Sequence, residues 1–534
     1  MGIVVLHPPR DRWVAEVVQA ALCRSFTTAQ VRRCRYADFS PTTSSDIPAA
    51  AVLIHPSDAD TGTLAHFTTD GRKSLLLGTL GAAVAERIGL EIHGPARITP
   101  EDADAVVDAG KPFNTSPVTV TYDDKHALAA AVPYRRRPLC RFDFENEWNN
   151  LGFGRIPAHD AVWGVAADVS VGTAEALATL KGPSGDVLGA YAAVAEREDH
   201  AALWFNRAVG PVDSLEWRVI ERFFGDYRHE QLTALPYLSE IPAGYDAAVT
   251  MRLDCDEAIA SALPLLELYS DHDRALSLAI PTGREMTEDD RRALERVLTA
   301  GGAALSHSVR HMPNWGGSHA AALAEATESR AWLESHTGRS VRFAVSPFHQ
   351  NPPYAVRALA DAGYAGFVGG IIANDPEYLL GRAGRVPFCD PAIVSHSAQS
   401  MLHGDCYHRY GNSIAPYAES FDHHMAAATT FGYLDHPFST RYQYGWHDEL
   451  ERLAAHTALL EHIAQRTERV WWPNLTVAMA FLARRDVALV EIGETGTLRT
   501  HWPEAQPAAP AHAGTRVDSA PRGVVCWKDE QHVA

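Results

Sequence analysis

AAVTMRLDCD, residues 247–256, is an apolar run that ends in two carboxylates. A continuous apolar stretch of this length suits a strand buried on both faces, as in a parallel sheet covered by helices. The pattern recurs in ALSLAIPT (275–282), AALSHS (303–308), VRFAVSPF (341–348), AGFVGG (365–370) and GYLDHPF (432–438). Helical patterns separate these runs at Glu288 to Thr299, Ser318 to Ser335 and Tyr354 to Ala362. Strands alternating with helices over about 220 residues suffice for an α/β barrel, which places its chemistry at the strand ends.

Three clusters sit at such ends. Asp254 and Asp256 are two apart, so on a strand both would face one side and Cys255 the other. Paired carboxylates resist double ionisation unless a cation or proton lies between them, which suits a metal ligand and a general base. A solvated strand end is the plainer alternative. In SHSVRH, His307 and His311 stand at i and i+4, on one face if the turn is helical, and two imidazoles with a carboxylate suit zinc-like ions. Leu434-Asp435-His436 closes another strand. The acid pair, the histidine pair about 50 residues on and the lone histidine about 125 after that keep one order along the barrel run.

This layout resembles the NodB-homology domain of polysaccharide deacetylases, the family 4 carbohydrate esterases, over roughly residues 245–470. HSVRH matches that family's H-[ST]-x-x-H motif, Asp254/Asp256 resembles its Asp pair, and Leu434 to His436 resembles its late Leu-x-x-His-like motif. The resemblance implies a distorted (β/α) barrel with one divalent metal held by Asp256, His307 and His311. It implies Asp254 as general base and His436 as the acid for the leaving amine. Zinc is the first expectation, with cobalt, nickel or manganese as alternatives. Ser308 is expected to orient the histidine turn. The family's Arg-Pro-Pro-Tyr-like segment corresponds to AVSPFHQN, where Val345 stands at the Arg position, with Arg342 or Arg252 near enough to substitute. For the segment that tunes the late histidine, Asp405 and Asp422 are candidates. Pro347, Phe348, His349 and Trp446 are expected to bind substrate, Trp446 because Tyr442, Tyr444 and Trp446 recur at a spacing of two, as on one face of an extended segment. The histidine-rich stretch 396–424 reads as a polar loop followed by a helix with exposed histidines, with a substrate-groove lining or a second metal site as the alternatives.

The implied reaction is N-deacetylation of an acetamido sugar or glycan precursor. A non-sugar amide, as in the allantoinase-like branch, and a non-catalytic glycan-binding protein are the alternatives. A carbohydrate is the expected partner, together with oligomer or glycan-assembly partners.

The first 240 residues form a separate expected domain, 1–240. GIVVLHP, AAAVLIHP and SLLLG read as strands, Arg12 to Cys23 and Leu80 to Ile88 as helices, giving an open, mostly parallel α/β sheet. Residues 175–210 add a strand-rich insertion turning at Pro183-Ser184-Gly185, before a helix from Ser214 to Phe224. The plan is similar to glutamine-amidotransferase-like domains, but Gly78-Thr79-Leu80-Gly81 offers neither Cys nor Ser, so a scaffold or binding role is expected. The barrel domain extends over 245–500, with a helix at Leu475 to Arg484 and a hairpin in 486–502; residues 503–534 read as a linker and poorly ordered tail.

Of 534 residues, 47 are Lys or Arg and 66 Asp or Glu, a net charge of −19 that disfavours nucleic acid and anionic membranes. The one compact basic run, Arg135 to Arg137, reads as a solvated turn. Seven scattered cysteines suggest no disulfide framework. With no signal-peptide pattern and no run long enough to span a membrane, the expected compartment is the cytoplasm.

Overall fold

The computed structural model describes residues 2–98, 118–133, 135–139, 164–211, 215–369, 382–396, 399–439, 442–492, 498–502 and 515–517. Two large sheets dominate it. The second sheet carries the three clusters. In spatial order its strands are Gly384–Arg385, Val394–His396, Gly366–Val368, Phe343–Val345, Ala303–Ser306, Ser277–Ile280, Ala247–Asp254, Thr430–Asp435 and Gln399–Met401, with Val470–Trp471 beside the start of Ala247–Asp254. Every pairing is parallel except that of Gly384–Arg385, so the carboxyl ends gather along one rim. No pairing joins the two edge strands among the described residues, which leaves the expected barrel unclosed there.

Alternation along Ala247–Asp254 explains how this sheet is filled. Ala247, Val249, Met251 and Leu253 enter the core shared with the surrounding helices, while Ala248 enters a second core with Ala279, Leu305, Val345 and Val368. The helix Leu475–Asp486 packs into that second core across several strands, started by Asn474, whose side chain accepts from Val477 N. Polar residues of the same face, Arg252 and Asp254, lie further along the strand, where the apolar filling gives way to the rim.

The first sheet runs Val31–Arg35, Ile3–His7, Ala50–Ile54, Lys73–Leu77, Ala201–Phe205, Val187–Glu196, Glu175–Lys181, Thr119–Tyr122 and Arg136–Pro138. Only its first four junctions are parallel; the other four are antiparallel, so the sheet is half parallel where a mostly parallel one was expected. Short turns explain the antiparallel pairing of Glu175–Lys181, Val187–Glu196 and Ala201–Phe205, because a strand returning after a few residues can pair only antiparallel. The basic run is also corrected. Arg136–Pro138 is a strand, and Arg137 is buried, with Nε 2.8 Å from Glu216 and Nη2 donating to the Tyr191 hydroxyl. In the expected tail, Thr515–Val517 pairs with Leu238–Pro242 as a strand; the rest of 503–534 lies outside the described residues. Among the described residues no helix is long and apolar enough to cross a membrane.

Candidate active site

Asp254 is the last residue of its strand and Asp256 lies just beyond it. The two carboxylates therefore have different surroundings. Asp254 is fully buried and meets Arg252, two residues back on the same face: Nε donates to Oδ1 at 2.7 Å and Nη2 to Oδ2 at 3.3 Å. Burial alone would raise the Asp254 pKa, but Arg252 and the nearby imidazoles outweigh it and hold the carboxyl far below its ordinary range. Arg252 also donates to Gln399 at 2.6 Å. Arg342, the other arginine considered from the sequence, instead lies over the Phe343 ring, its guanidinium carbon 5.9 Å from the ring centre.

His307 follows the strand Ala303–Ser306 directly. Its Nδ1 lies 2.9 Å from the Val345 carbonyl, which can only accept, so Nδ1 carries the proton and Nε2 presents a lone pair. The turn to His311 is not helical. Ser308 (φ 64°) and His311 (φ 54°) are left-handed, and Ser308 Oγ accepts from His311 N at 2.9 Å. Glu325, from the helix His319–Thr337, accepts from Val309 N and Arg310 N, both at 2.8 Å. This folded turn brings the two Nε2 atoms within 3.0 Å of each other. Both lie 3.5 Å from Asp256 Oδ1, a buried oxygen with no hydrogen-bond partner among the described residues. Two imidazole nitrogens converging on an orphaned carboxylate oxygen form a donor set for a divalent cation.

His436 approaches the other oxygen of Asp256, with Nε2 at 3.4 Å. Burial pulls its pKa down, but the hydrogen bond and charge of Asp256, with Asp254 and Asp435 behind, bring it above the ordinary 6.5. Its Nδ1 lies 2.7 Å from His403 Nε2, and the Tyr444 ring stacks on it at 4.0 Å. Asp405 Oδ1 is 3.9 Å from His403 Nδ1, whereas Asp422 pairs with His462 and Arg466 elsewhere.

The residues expected to bind substrate separate. Phe348, at φ 51°, is 44% exposed and packs against the His311 ring at 4.6 Å. Pro347 is buried beside it. His349 is buried too, with Nδ1 3.4 Å from Arg252 Nη2, so it backs the Asp254 pair and offers little surface to a substrate. Trp446 is 1% exposed, sits in the core and donates from Nε1 to Asp435. The spacing of two misled because Tyr444 (φ 48°) and Gly445 (φ 81°) break the extended backbone; Tyr442 and Tyr444 stay toward the surface while Trp446 turns inward. The stretch 396–424 is corrected likewise: His396, His403 and His424 are all buried. His403, one of that stretch's histidines, is brought against His436 by contact between separate elements, which leaves no local motif.

No protein-family model matches this sequence, and no curated protein matches it. Among solved structures, the chain is similar to the PuuE allantoinase at 13% identity, over 46% of this chain and 92% of that one, with a TM-score of 0.33. It is similar to a family 4 acetyl xylan esterase of Clostridium thermocellum in complex with cobalt, at 13% identity, over 43% and 89%, with a TM-score of 0.29. A family 4 carbohydrate esterase of Streptomyces lividans in complex with acetate is 11% identical over 42% and 92%, with a TM-score of 0.29. Likenesses this distant carry no argument about the reaction of this chain.

Proposed function

We propose that this protein is a metal-dependent amide hydrolase that removes the acetyl group from an acetamido sugar or a glycan precursor. One observation carries the reading: a buried carboxylate oxygen of Asp256, without a hydrogen-bond partner among the described residues, faces the Nε2 atoms of His307 and His311. Those three residues would hold one divalent ion, zinc first, with cobalt, nickel or manganese also suited to the donors. When bound, such an ion supplies Lewis-acid polarisation of an amide carbonyl and a lowered pKa for water.

The chain's own residues divide the remaining work. Asp254, kept ionised by Arg252, takes the proton of the attacking water. Arg252 fixes the direction in which that carboxylate points, which answers the absence of an arginine at Val345. His436, kept protonated by the carboxylates around it, gives its Nε2 proton to the departing amine. Phe348 and Tyr442 are exposed aromatic faces near these groups, suited to the C–H face of a sugar ring.

Incubation of the purified protein with N-acetylglucosamine oligomers tests the proposal. Acetate release is expected, abolished by chelation and restored by zinc. Asp254→Asn should lower kcat/KM by about 10²–10⁴-fold, the usual range for losing a general base, and His307→Ala should lower it together with the affinity for zinc. Unchanged hydrolysis in both variants would overturn the mechanism, and turnover confined to non-sugar amides would overturn the substrate class.

A further inference from the structure

We propose a second divalent-metal site, formed by His408, His447 and Glu451, distinct from the one at the strand ends. His408 lies on the short helix Gly404–Arg409, and His447 and Glu451 flank the start of the helix Glu449–Arg466. Their donor atoms all lie within 4.8 Å of one another. His408 Nε2 is 2.9 Å, and His447 Nδ1 3.1 Å, from the same oxygen, Glu451 Oε1. The two rings are 4.2 Å apart at 31°.

The local chain fixes this convergence. Asp448 caps the helix by accepting from Glu451 N at 2.8 Å, and Glu451 Oε2 accepts from His447 N at 2.9 Å. One carboxylate oxygen is thereby committed to the backbone, and the other is turned toward both imidazoles. Gly404 and Gly445 allow the two segments to approach: Gly404 N donates to Tyr444 O at 3.0 Å, and a Cβ at either glycine would overlap the backbone of the other segment.

Without a cation, two ring N–H groups crowd one oxygen. A single ion replaces both protons and takes all three donors. Ligands about 2.0–2.1 Å from a tetrahedral ion stand roughly 3.3 Å apart, so the two spacings to Glu451 Oε1 need to open by only a few tenths of an ångström, with the imidazole nitrogens within 4.8 Å of each other. Two imidazoles and a carboxylate suit zinc or a neighbouring transition ion, and His447, which is largely exposed, leaves an open side for water. An ion there would staple the segment that carries His403 to the loop that carries Tyr444, the two neighbours of His436. The site's existence does not depend on the hydrolase reading.

The test is zinc stoichiometry on the full-length protein after chelation and dialysis, with cobalt absorption as a second probe. Two equivalents are expected for the wild type. His447→Ala should bind one, the combined Asp256→Asn, His307→Ala, His311→Ala variant should bind one, and all four changes together should bind none. Because His447 is exposed, His447→Ala should melt like the wild type in metal-free buffer while showing a smaller zinc-induced rise in Tm. Undiminished zinc and cobalt binding in both His447→Ala and Glu451→Gln overturns the site. If the wild type binds only one equivalent, loss of it in His447→Ala supports this site and counts against the strand-end one, while its retention overturns this site.

Discussion

At the scale of single residues, His436 concentrates most of the expected pH dependence. A general acid must be protonated, and the protonated fraction falls about tenfold for each pH unit above its pKa. The carboxylates that outweigh its burial place that pKa above 6.5, so kcat/KM should hold through that pH and fall on the alkaline side. Asp254 sets no acid limb in the working range, because it stays ionised far below its ordinary pKa. His403 shapes the alkaline limb. Burial, and then the charge of His436, pull His403 down to about 4, so it is neutral at pH 7 and its Nε2 accepts from protonated His436. His403→Ala removes that acceptor and should move the alkaline limb to lower pH as well as lowering kcat. A pH–rate profile with a smaller plateau but an unmoved limb would reduce His403 to packing.

At the scale of elements, the strand Thr430–Asp435 and the helix Glu449–Arg466 hold His436 on the rim through one buried carboxylate. Asp435 accepts from Arg452 Nε at 2.7 Å and from His436 N at 2.8 Å, and His456 Nε2 lies 3.1 Å from it; Arg452 and His456 are 0% exposed. Removing one partner of a buried pair strands the other, at a cost of about 3–5 kcal/mol. Arg452→Met should lose stability of that order in urea unfolding at pH 7. The Asp435 pKa is depressed by Arg452 and His456 despite burial, so its contribution is present above the ordinary 3.8 and is lost as pH falls toward the folded value. Arg452→Met should therefore depend less on pH in that acid window than the wild type. The strands themselves were legible as apolar runs, and the helix Glu288–Thr299 keeps the bounds its pattern suggests, started by a capping box of Thr287 and Asp290. What escaped was backbone hand. Left-handed conformations at Ser308, His311 and Tyr444 are carried by residues with no strong preference for them, so a helical histidine turn and an extended aromatic face were both natural readings.

At the scale of the whole molecule, the two sheets meet through charges that a sequence presents as surface. Arg382 donates to both oxygens of Glu221, at 2.9 and 2.8 Å; Arg24 donates to the carbonyls of Arg385 and Arg382; Glu240 accepts from Ala383 N and Thr430 N. All of these side chains are buried, and no periodicity marks them, which is why the sequence suggested two separate domains with no hint of this contact. Gly384 permits it, since a side chain there would press on Arg24. A junction made of a buried ion pair and buried charged side chains bonded to backbone couples the stability of its two sides, because separating them breaks all of these contacts at once. The expectation is one cooperative unfolding unit. Native-state hydrogen exchange should give the same maximal protection for Val52 in the first sheet and Val249 in the second, and Glu221→Ala, which removes the carboxylate that Arg382 pairs with, should lower both by the same amount. If Glu221→Ala lowers protection at Val52 alone, the two sheets unfold independently, and the buried polar contacts between them only orient one against the other.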